Sequence, residues 1–259
     1  MSNPHGSHIW YELMTTDVDA ASDFYPKILP WAVEKSEMPG MDYRMIVAPE
    51  GRPEGGVGGM MKLPADAPQQ PVWMGYIGVE DVDGTVEKIK EKGGAVHMEP
   101  TDIPDVGRFA MVTDPQGVAF YVMKGNSPES SMAFAYDKPR VGHVAWNELA
   151  TPDKDGAMAF YGDIFGWKKD GEMDMGPQGT YDFLRDGEGM LGAMMNEPAE
   201  MPVAMWTYYF RVDNITEAQA AIDTNGGKVV NGPHEIPGGE HMLNAQDPQG
   251  GFFSLVGKK

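Results

Sequence analysis

The chain has 259 residues, with 20 Lys and Arg against 39 Asp and Glu, and a formal net charge of −19. Nucleic acids and anionic membranes require a basic surface, and this strong excess of acidic residues therefore excludes both as partners. The absence of cysteine excludes disulfides, thiol catalysis and cysteine-ligated metals.

The N-terminal segment, residues 1–8, has neither the basic nor the apolar region of a signal peptide. No apolar run approaches the roughly 18 residues that a membrane helix needs. We therefore expect a cytoplasmic protein. His5 and His8 are expected to lie in a mobile N-terminal segment.

The predicted elements of the first half form one pattern that occurs twice. A strand at 8–14 precedes an amphipathic helix, whose apolar residues recur at helical spacing: Val18, Ala21, Phe24 and Ile28. Two short strands follow, at 43–48 and 56–63. The pattern then restarts with a strand, a helix that ends at a Gly-Gly pair, and three strands, predicted at 73–79, 83–92, 95–98, 109–113 and 119–123.

The second half of the chain repeats the first. Trp10-Tyr11-Glu12-Leu13 recurs as Trp146-Asn147-Glu148-Leu149, and Asp114-Pro115-Gln116-Gly117 recurs as Asp247-Pro248-Gln249-Gly250. The Asp-Pro-Gln-Gly run suits a type I turn between the last two strands of each half. We predict two homologous modules at 1–125 and 141–259, joined by an exposed linker at 126–140. At about 120 residues, each module is large enough for a core of its own, unless the two share an apolar face.

These features resemble the vicinal-oxygen-chelate superfamily, which includes glyoxalase I, bleomycin-resistance proteins and extradiol dioxygenases. The residues that carry the resemblance are Phe24-Tyr25, Trp31, Gly93-Gly94 and the Asp-Pro-Gln-Gly turn, with their counterparts Phe160-Tyr161, Trp167, Gly226-Gly227 and the second turn. A bacterial subgroup with two tandem glyoxalase-like domains is more similar still. The resemblance implies an α+β fold in which each module has two β-α-β-β-β units that form an eight-stranded cup.

In the metal-dependent members of this superfamily, His, Glu or Gln on four strands of the cup hold one divalent ion. The corresponding positions here are Trp10, a residue within 55–61, Met74 and Tyr121 in the first module, and Trp146, a residue within 189–195, Thr207 and Ser254 in the second. None of these positions offers a carboxylate or an imidazole. We therefore expect no metal and no cofactor.

Glu12 and Glu148 are the candidate catalytic residues. Each lies two residues after a tryptophan on a predicted first strand, so both side chains lie on one face of that strand. If that face is the interior of the cup, desolvation would raise the pKa of the carboxyl group and make it a candidate general base. The alternatives are a glutamate with a buried amide or arginine partner, and a glutamate on a solvated strand.

Seven further residues are candidates for binding a ligand. Trp10 and Trp146 would line the cups, with plain core packing as the alternative. The other candidates are Tyr76, Tyr121 and Tyr209, which could offer a hydroxyl to a ligand, and Arg108 and His241, which could meet an anion at the mouth of a cup. A tyrosine hydroxyl in water and a solvated loop side chain are the respective alternatives.

The sequence favours a glyoxalase-like protein that binds a small organic molecule in a metal-free cup, with general-base chemistry as an option. One alternative is a metal-dependent lyase or dioxygenase of the same superfamily. Another is a non-catalytic binding or resistance protein, and a third is a scaffold for a protein partner. Association into a homodimer is a further option for this chain.

Overall fold

The computed structural model describes residues 3–37, 41–49, 56–65, 67–135, 138–187, 189–198 and 204–259. Within these ranges the first module has eight strands and two α-helices: β1 (His8–Thr15), α1 (Val18–Phe24), β2 (Ala32–Lys35), β3 (Tyr43–Val47), β4 (Gly56–Lys62), β5 (Val72–Gly78), α2 (Val82–Glu91), β6 (Ala95–Ile103), β7 (Gly107–Thr113) and β8 (Ala119–Gly125). No helix in this part of the chain, or in the described remainder, is long and apolar enough to cross a membrane.

The second module repeats this order of elements. Its described elements are β9 (Val144–Thr151), α3 (Lys154–Phe165), β10 (Lys168–Asp174), β11 (Thr180–Arg185), β12 (Met190–Asn196), β13 (Met205–Asn214), α4 (Ile215–Thr224), β14 (Lys228–Glu235), β15 (His241–Gln246) and β16 (Phe252–Lys258). The prediction of four β-α-β-β-β units in an α+β fold is confirmed. Two details were wrong. The short edge strand β2 was missed, and the helix of the first unit ends before Ile28.

The strands form two mixed sheets of eight strands each. Sheet 1 has the order β2-β3-β4-β1-β5-β8-β7-β6, and sheet 2 has the matching order β10-β11-β12-β9-β13-β16-β15-β14. The pairs β1–β4, β5–β8, β9–β12 and β13–β16 are parallel. Each sheet therefore corresponds to one sequence module.

Local sequence explains where the helices begin and end. Asp17 caps α1 by accepting a hydrogen bond from the Ala20 amide at 3.0 Å, and Asp153 does the same for α3 through Gly156 at 2.9 Å. Pro26 has no amide proton to continue the first helix, so α1 gives way to a 3-10 turn at Tyr25–Lys27. In the second module α3 runs on to Phe165 and ends at Gly166, which has φ 75°.

Glycines allow β4 and β12 to approach the first strand of each module. A Cβ at Gly58 would lie 2.1 Å from the carbonyl oxygen of Tyr11, and a Cβ at Gly192 would lie 1.8 Å from that of Asn147. Any side chain at these two positions would therefore collide with backbone. In the first module the close approach lies in a Gly-rich run whose first residue, Gly55, lies outside the described residues.

The compact units of the structure do not follow the sequence modules. Unit 1 comprises Met1–Ile9, Gly75–Ser131 and Trp146–Thr207, and unit 2 comprises Trp10–Met74, Met132–Ala145 and Tyr208–Lys259. Each compact unit thus combines one β-α-β-β-β repeat from the first module with one from the second. The domain bounds at 1–125 and 141–259 remain a prediction from the repeat.

An aromatic cluster fills the core of unit 2. The Tyr25 ring meets Trp73 edge-on at a centroid distance of 5.6 Å and Phe253 at 5.3 Å. Phe210 packs against Trp31 at 5.0 Å and against Trp73 at 4.9 Å. Within this unit Tyr25, Trp31 and Trp73 come from the first module, and Phe210 and Phe253 from the second.

Unit 1 has the corresponding aromatic core. Tyr161 stacks on Trp167 at 5.2 Å and meets Trp206 edge-on at 5.5 Å. His8 adds an imidazole to this core, stacked on Trp167 at 5.5 Å. The expectation of a mobile His8 was wrong: the residue begins β1 and is 3% exposed, and burial lowers its pKa to about 3.

The predicted linker is exposed only over part of its length. Residues 126–129 are exposed, but Ala133 and Phe134 are buried in unit 2. Phe134 forms an isolated parallel bridge with Val144. Residues 136 and 137 of the linker lie outside the described residues.

Candidate functional site

Glu12, one of the two predicted catalytic residues, belongs to a chain of hydrogen bonds on β1 and β3. The Trp10 indole nitrogen donates to the Tyr43 hydroxyl at 2.9 Å, and that hydroxyl donates to Glu12 Oε2 at 3.0 Å. Glu12 is 3% exposed, whereas Trp10 and Tyr43 are half-buried. We call this arrangement a Trp–Tyr–Glu relay.

The second module contains the same relay. Trp146 Nε1 donates to the Tyr181 hydroxyl at 2.7 Å, and Tyr181 donates to Glu148 Oε2 at 2.6 Å. All three residues are half-buried. The tyrosines were not predicted, because they lie 31 and 33 residues from the glutamates in sequence and only strand pairing brings them near.

The residue on the strand next to each glutamate differs between the two relays. Gly59 pairs with Glu12, and Ala193 pairs with Glu148. A Cβ at Gly59 would lie 2.0 Å from the Tyr43 hydroxyl oxygen. The missing methyl group in sheet 1 therefore makes the space that Tyr43 occupies.

A similar relay also lies in the core of each unit. In unit 2, Trp73 Nε1 donates to the Tyr25 hydroxyl at 3.1 Å, and Tyr25 donates to Asp247 Oδ2 at 2.9 Å. In unit 1 the relay has the same order of donation: Trp206, Tyr161 and Asp114, at 3.1 and 3.2 Å. We call these the Trp–Tyr–Asp relays.

Each of these aspartates begins the predicted Asp-Pro-Gln-Gly turn. Asp247 Oδ1 also accepts hydrogen bonds from the backbone amides of Gln249 and Gly251, at 2.9 and 2.7 Å. Burial raises the pKa of Asp247 and of Asp114 above its usual range, against the opposing effect of their amide and tyrosine donors. The predicted turns between the last two strands of each half are confirmed, since they join the antiparallel pairs β7–β8 and β15–β16.

Tyr76 and Tyr121 are brought together on β5 and β8 of unit 1. Their rings stack at a centroid distance of 4.2 Å and an angle of 14°, and Phe109 lies 5.9 Å from Tyr121. Tyr76 is 5% exposed and Tyr121 is 4% exposed. Tyr121 therefore puts a stacked phenol ring where the superfamily pattern has its last metal ligand.

Tyr209 lies in the corresponding place on β13 of unit 2, but its neighbours are polar. Asn244 Nδ2 donates to the Tyr209 hydroxyl at 3.4 Å and to the Ser254 hydroxyl at 2.7 Å. Ser254 stands where the first module has Tyr121. Duplication has therefore left the two positions with different chemistry.

Arg108 and His241 do not share a face with these tyrosines. Arg108 bonds both carboxylate oxygens of Asp83 at 2.7 and 2.8 Å and Asp102 at 3.1 Å, and these partners raise its pKa. His241 alternates with Met242 and Asn244 along β15, so it lies on the face of Leu243, which is fully buried. The residues that the predicted anion site needs are thus turned away from the tyrosine clusters.

The donor set at the superfamily's metal positions does not fit a divalent ion. The described positions lie on the adjacent strands β4, β1, β5 and β8 and carry an indole, glycine, valine and methionine side chains, and a phenol. Divalent ions take carboxylate, imidazole or carbonyl donors. Among the described residues, moreover, no group of three or more His, Asp or Glu side chains could hold a metal.

Comparison with protein families identifies the fold. The model described as "Glyoxalase/Bleomycin resistance protein/Dioxygenase superfamily" matches residues 8–122 and again 140–254. The chain belongs to this superfamily. The resemblance inferred from the repeat, including two tandem modules, is therefore confirmed.

Two curated proteins are similar over nearly the whole chain. "Putative glyoxylase CFP32" of Mycobacterium tuberculosis is 32% identical over 255 residues, which cover 97% of this chain and 94% of that protein. "Anthracycline biosynthesis protein DauV" of a Streptomyces species is 27% identical over 277 residues, with 97% and 93% covered.

Solved structures agree on the fold. The Mn(II)-bound glyoxalase from Novosphingobium aromaticivorans superposes with a TM-score of 0.66 at 17% identity, over 100% of this chain and 83% of that one. The 2,3-dioxygenase LapB from Pseudomonas sp. KL28 gives 0.67 at 10% identity, over 99% and 93%. At these identities the likeness is one of fold.

Proposed function

We propose that the protein binds a small organic molecule without a metal ion, and that Glu12 and Glu148 act on this molecule as general bases. The observation that supports the proposal is the recurrence of the Trp–Tyr–Glu relay in both modules, with the same atoms donating and accepting. In each relay a half-buried indole ring lies next to a carboxylate. An apolar ring beside one directed polar group is typical of small-molecule sites.

The directions of the hydrogen bonds define what each residue does. An indole nitrogen can only donate, so Trp10 occupies a lone pair of the Tyr43 oxygen and the hydroxyl proton points to Glu12. Tyr43 thereby positions the carboxylate. A proton from a C–H or O–H group of the ligand then passes to that carboxylate, which becomes a carboxylic acid and leaves the ligand as an anion.

The relatives suggest two kinds of ligand to test. The name of the mycobacterial relative indicates 2-oxoaldehyde chemistry, and that of the Streptomyces relative indicates fused aromatic rings. The metal-dependent alternative is disfavoured by the donor set described above. A non-catalytic binding protein is the second candidate, and the stacked Tyr76 and Tyr121 rings favour it because they suit a flat ligand.

A turnover experiment distinguishes these functions. Chelator-treated protein is incubated in deuterated water with the hemithioacetal of methylglyoxal and glutathione, and thioester formation and deuterium uptake are followed by NMR. Loss of a general base lowers the rate by about 10²–10⁴-fold, so the double change Glu12→Gln and Glu148→Gln should do the same. Glu34→Gln, on exposed β2, is the matched control.

Binding is measured in parallel with an anthracycline such as daunorubicin, through quenching of tryptophan fluorescence. Anthracycline binding with no turnover of the hemithioacetal, unchanged by the double Glu→Gln change, would establish the non-catalytic candidate instead. Neither turnover nor binding by the wild-type protein would overturn both.

A further inference from the structure

A continuous row of hydrogen-bonding side chains crosses four strands of unit 2. Asn244 on β15 donates to Ser254 on β16 and to Tyr209 on β13, and it accepts from Asn231 Nδ2 on β14 at 2.8 Å. His234 Nε2 lies 2.9 Å from Asn231 Oδ1. We call these five residues the polar row.

The same register positions of sheet 1 form an apolar row in unit 1. Met98 pairs with Met111 as Asn231 pairs with Asn244, and Tyr76 pairs with Tyr121 as Tyr209 pairs with Ser254. Met111 also pairs with Tyr121 as Asn244 pairs with Ser254. The apolar row, Met98, Met111, Tyr121 and Tyr76, is therefore the strand-by-strand counterpart of the polar row.

Both rows run from a buried end to an exposed end. Tyr209 and Ser254 are buried, Asn244 is half-buried, and Asn231 and His234 are exposed. In the apolar row the tyrosines are buried, Met111 is half-buried and Met98 is 39% exposed. Each row can therefore meet a ligand from solvent at its exposed end.

The arginine that shares a face of β13 with Tyr209 is already paired with a carboxylate. Arg211 alternates onto the face of Tyr209, but its guanidinium is paired with both carboxylate oxygens of Glu240, at 3.1 Å for Nη2 to Oε2. Amides and hydroxyls that both donate and accept match the hydroxyl groups of a neutral ligand. Methionine and stacked tyrosine rings match a flat apolar ring instead.

We propose that the two modules bind ligands of different classes: the polar row takes a neutral polyhydroxylated molecule such as a cyclitol or sugar, and the apolar row takes a planar aromatic molecule. The proposal rests on the proposed small-molecule function and assigns a ligand class to each module. This specificity is determined by Asn244 and Asn231 in the polar row and by their counterparts Met111 and Met98 in the apolar row.

Methyl NMR of the full-length protein tests the assignment, with methionine methyl groups labelled with ¹³C. Met98 and Met111 report on the apolar row, and Met242, which pairs with His234, reports on the polar row. The probes are a set of neutral cyclitols and monosaccharides led by myo-inositol, and a set of fused-ring phenols led by 2-naphthol. We expect saturable shifts of Met242 with the first set and of Met98 and Met111 with the second.

Exchanging the matched residues should exchange the specificity. Asn244→Met should weaken cyclitol binding at least tenfold and leave naphthol binding at the apolar row unchanged, and Met111→Asn should weaken naphthol binding at least threefold. Asn231→Met, at an exposed position that matches Met98, gives the same test where Asn244→Met fails to fold.

The outcomes separate this proposal from the proposed function. If the probes bind but shift both rows alike, or the exchanges leave the preference unchanged, the division of specificity is overturned while small-molecule binding stands. If no probe of either set shifts any of the three methyl groups, the division is overturned, and the turnover and anthracycline assays then decide the proposed function on their own.

Discussion

Unit 2 contains both kinds of relay, and their comparison separates structural from candidate functional residues. In the core, Trp73, Tyr25 and Asp247 are 5%, 0% and 4% exposed, and the aspartate also holds a turn through two backbone amides. On the sheet face, Trp10 and Tyr43 are half-buried next to Glu12. The same three-part hydrogen-bond chain thus stabilises a core in one place and presents a carboxylate beside an accessible ring in the other.

The largest effect on folding is expected when the Trp–Tyr–Asp relay of unit 2 loses the second module, which supplies its aspartate. Residues 1–130 expressed alone lack Asp247 and Phe253, which contact Tyr25 in unit 2, and also Phe210, which packs against Trp73. We expect no folded monomer, but an unfolded chain or a dimer in which a second copy supplies Asp114 to Tyr25. Near-UV circular dichroism and sedimentation check this, and a folded monomer with native aromatic signals would show that the modules are autonomous.

Acid should act on the two core relays unequally. His8 packs against Trp206 of the unit 1 relay, at 5.7 Å, whereas Val144 has the equivalent place in the second module. The unfolded chain binds a proton at His8 near pH 6.5, but the folded chain does so only near pH 3, because burial lowers the pKa. The contribution of His8 to the unfolding free energy is therefore fully present above pH 6.5. It is lost as the pH falls, by on the order of 5 kcal/mol at pH 3.

Urea unfolding at several pH values measures this loss. Asp114 and Asp247 contribute with the opposite sign, because a raised pKa in the folded protein favours folding as the carboxyl groups take up protons. The difference between wild type and His8→Val isolates His8, since the cavity left by the change costs the same at every pH. An unchanged slope in the variant would refute the assignment.

Removing one hydroxyl compares the two relays of unit 2 directly. Tyr25→Phe leaves the Trp73 N–H and one oxygen of Asp247 without a partner in the core, at a cost of about 1–3 kcal/mol in unfolding free energy. Tyr43→Phe should cost less than Tyr25→Phe, because Trp10 and Tyr43 are half-buried and water can reach the Trp10 N–H, although the Glu12 carboxylate is itself buried. Equal costs in urea unfolding would mean that the Trp–Tyr–Glu relay is a structural element too.

The smallest expected change in stability sharpens the comparison between sheets. Gly59→Ala puts a methyl group in the place of the Tyr43 hydroxyl, so it should displace this side chain and open the relay of sheet 1. The atoms that must move are the hydroxyl oxygen, Cζ and Cε1 of Tyr43, all at the outer end of one side chain, so the cost should stay below about 1 kcal/mol. Trp10 fluorescence reports the opening, and Ala193→Gly in sheet 2 is the control that should leave Trp146 unaffected.

The sequence alone determined the four units, the two turns and the face shared by Trp10 and Glu12. These follow from local rules: helical spacing, proline and glycine in turns, and the alternation of strand residues. It also determined that the metal positions lack suitable donors, because the residue type alone fixes whether a side chain carries a carboxylate or an imidazole.

Only the tertiary structure decided which side chains meet. Tyr43 and Tyr181 reach the glutamates of the relays only through strand pairing, and Tyr25 bonds Asp247, which is 222 residues away in sequence. No local sequence pattern predicts these contacts. His8 was misjudged for the same reason, because its burial comes from Trp167 and Trp206 in the other module. The compact units mix the modules because buried aromatic area is gained wherever complementary surfaces pack, whatever their order in the chain.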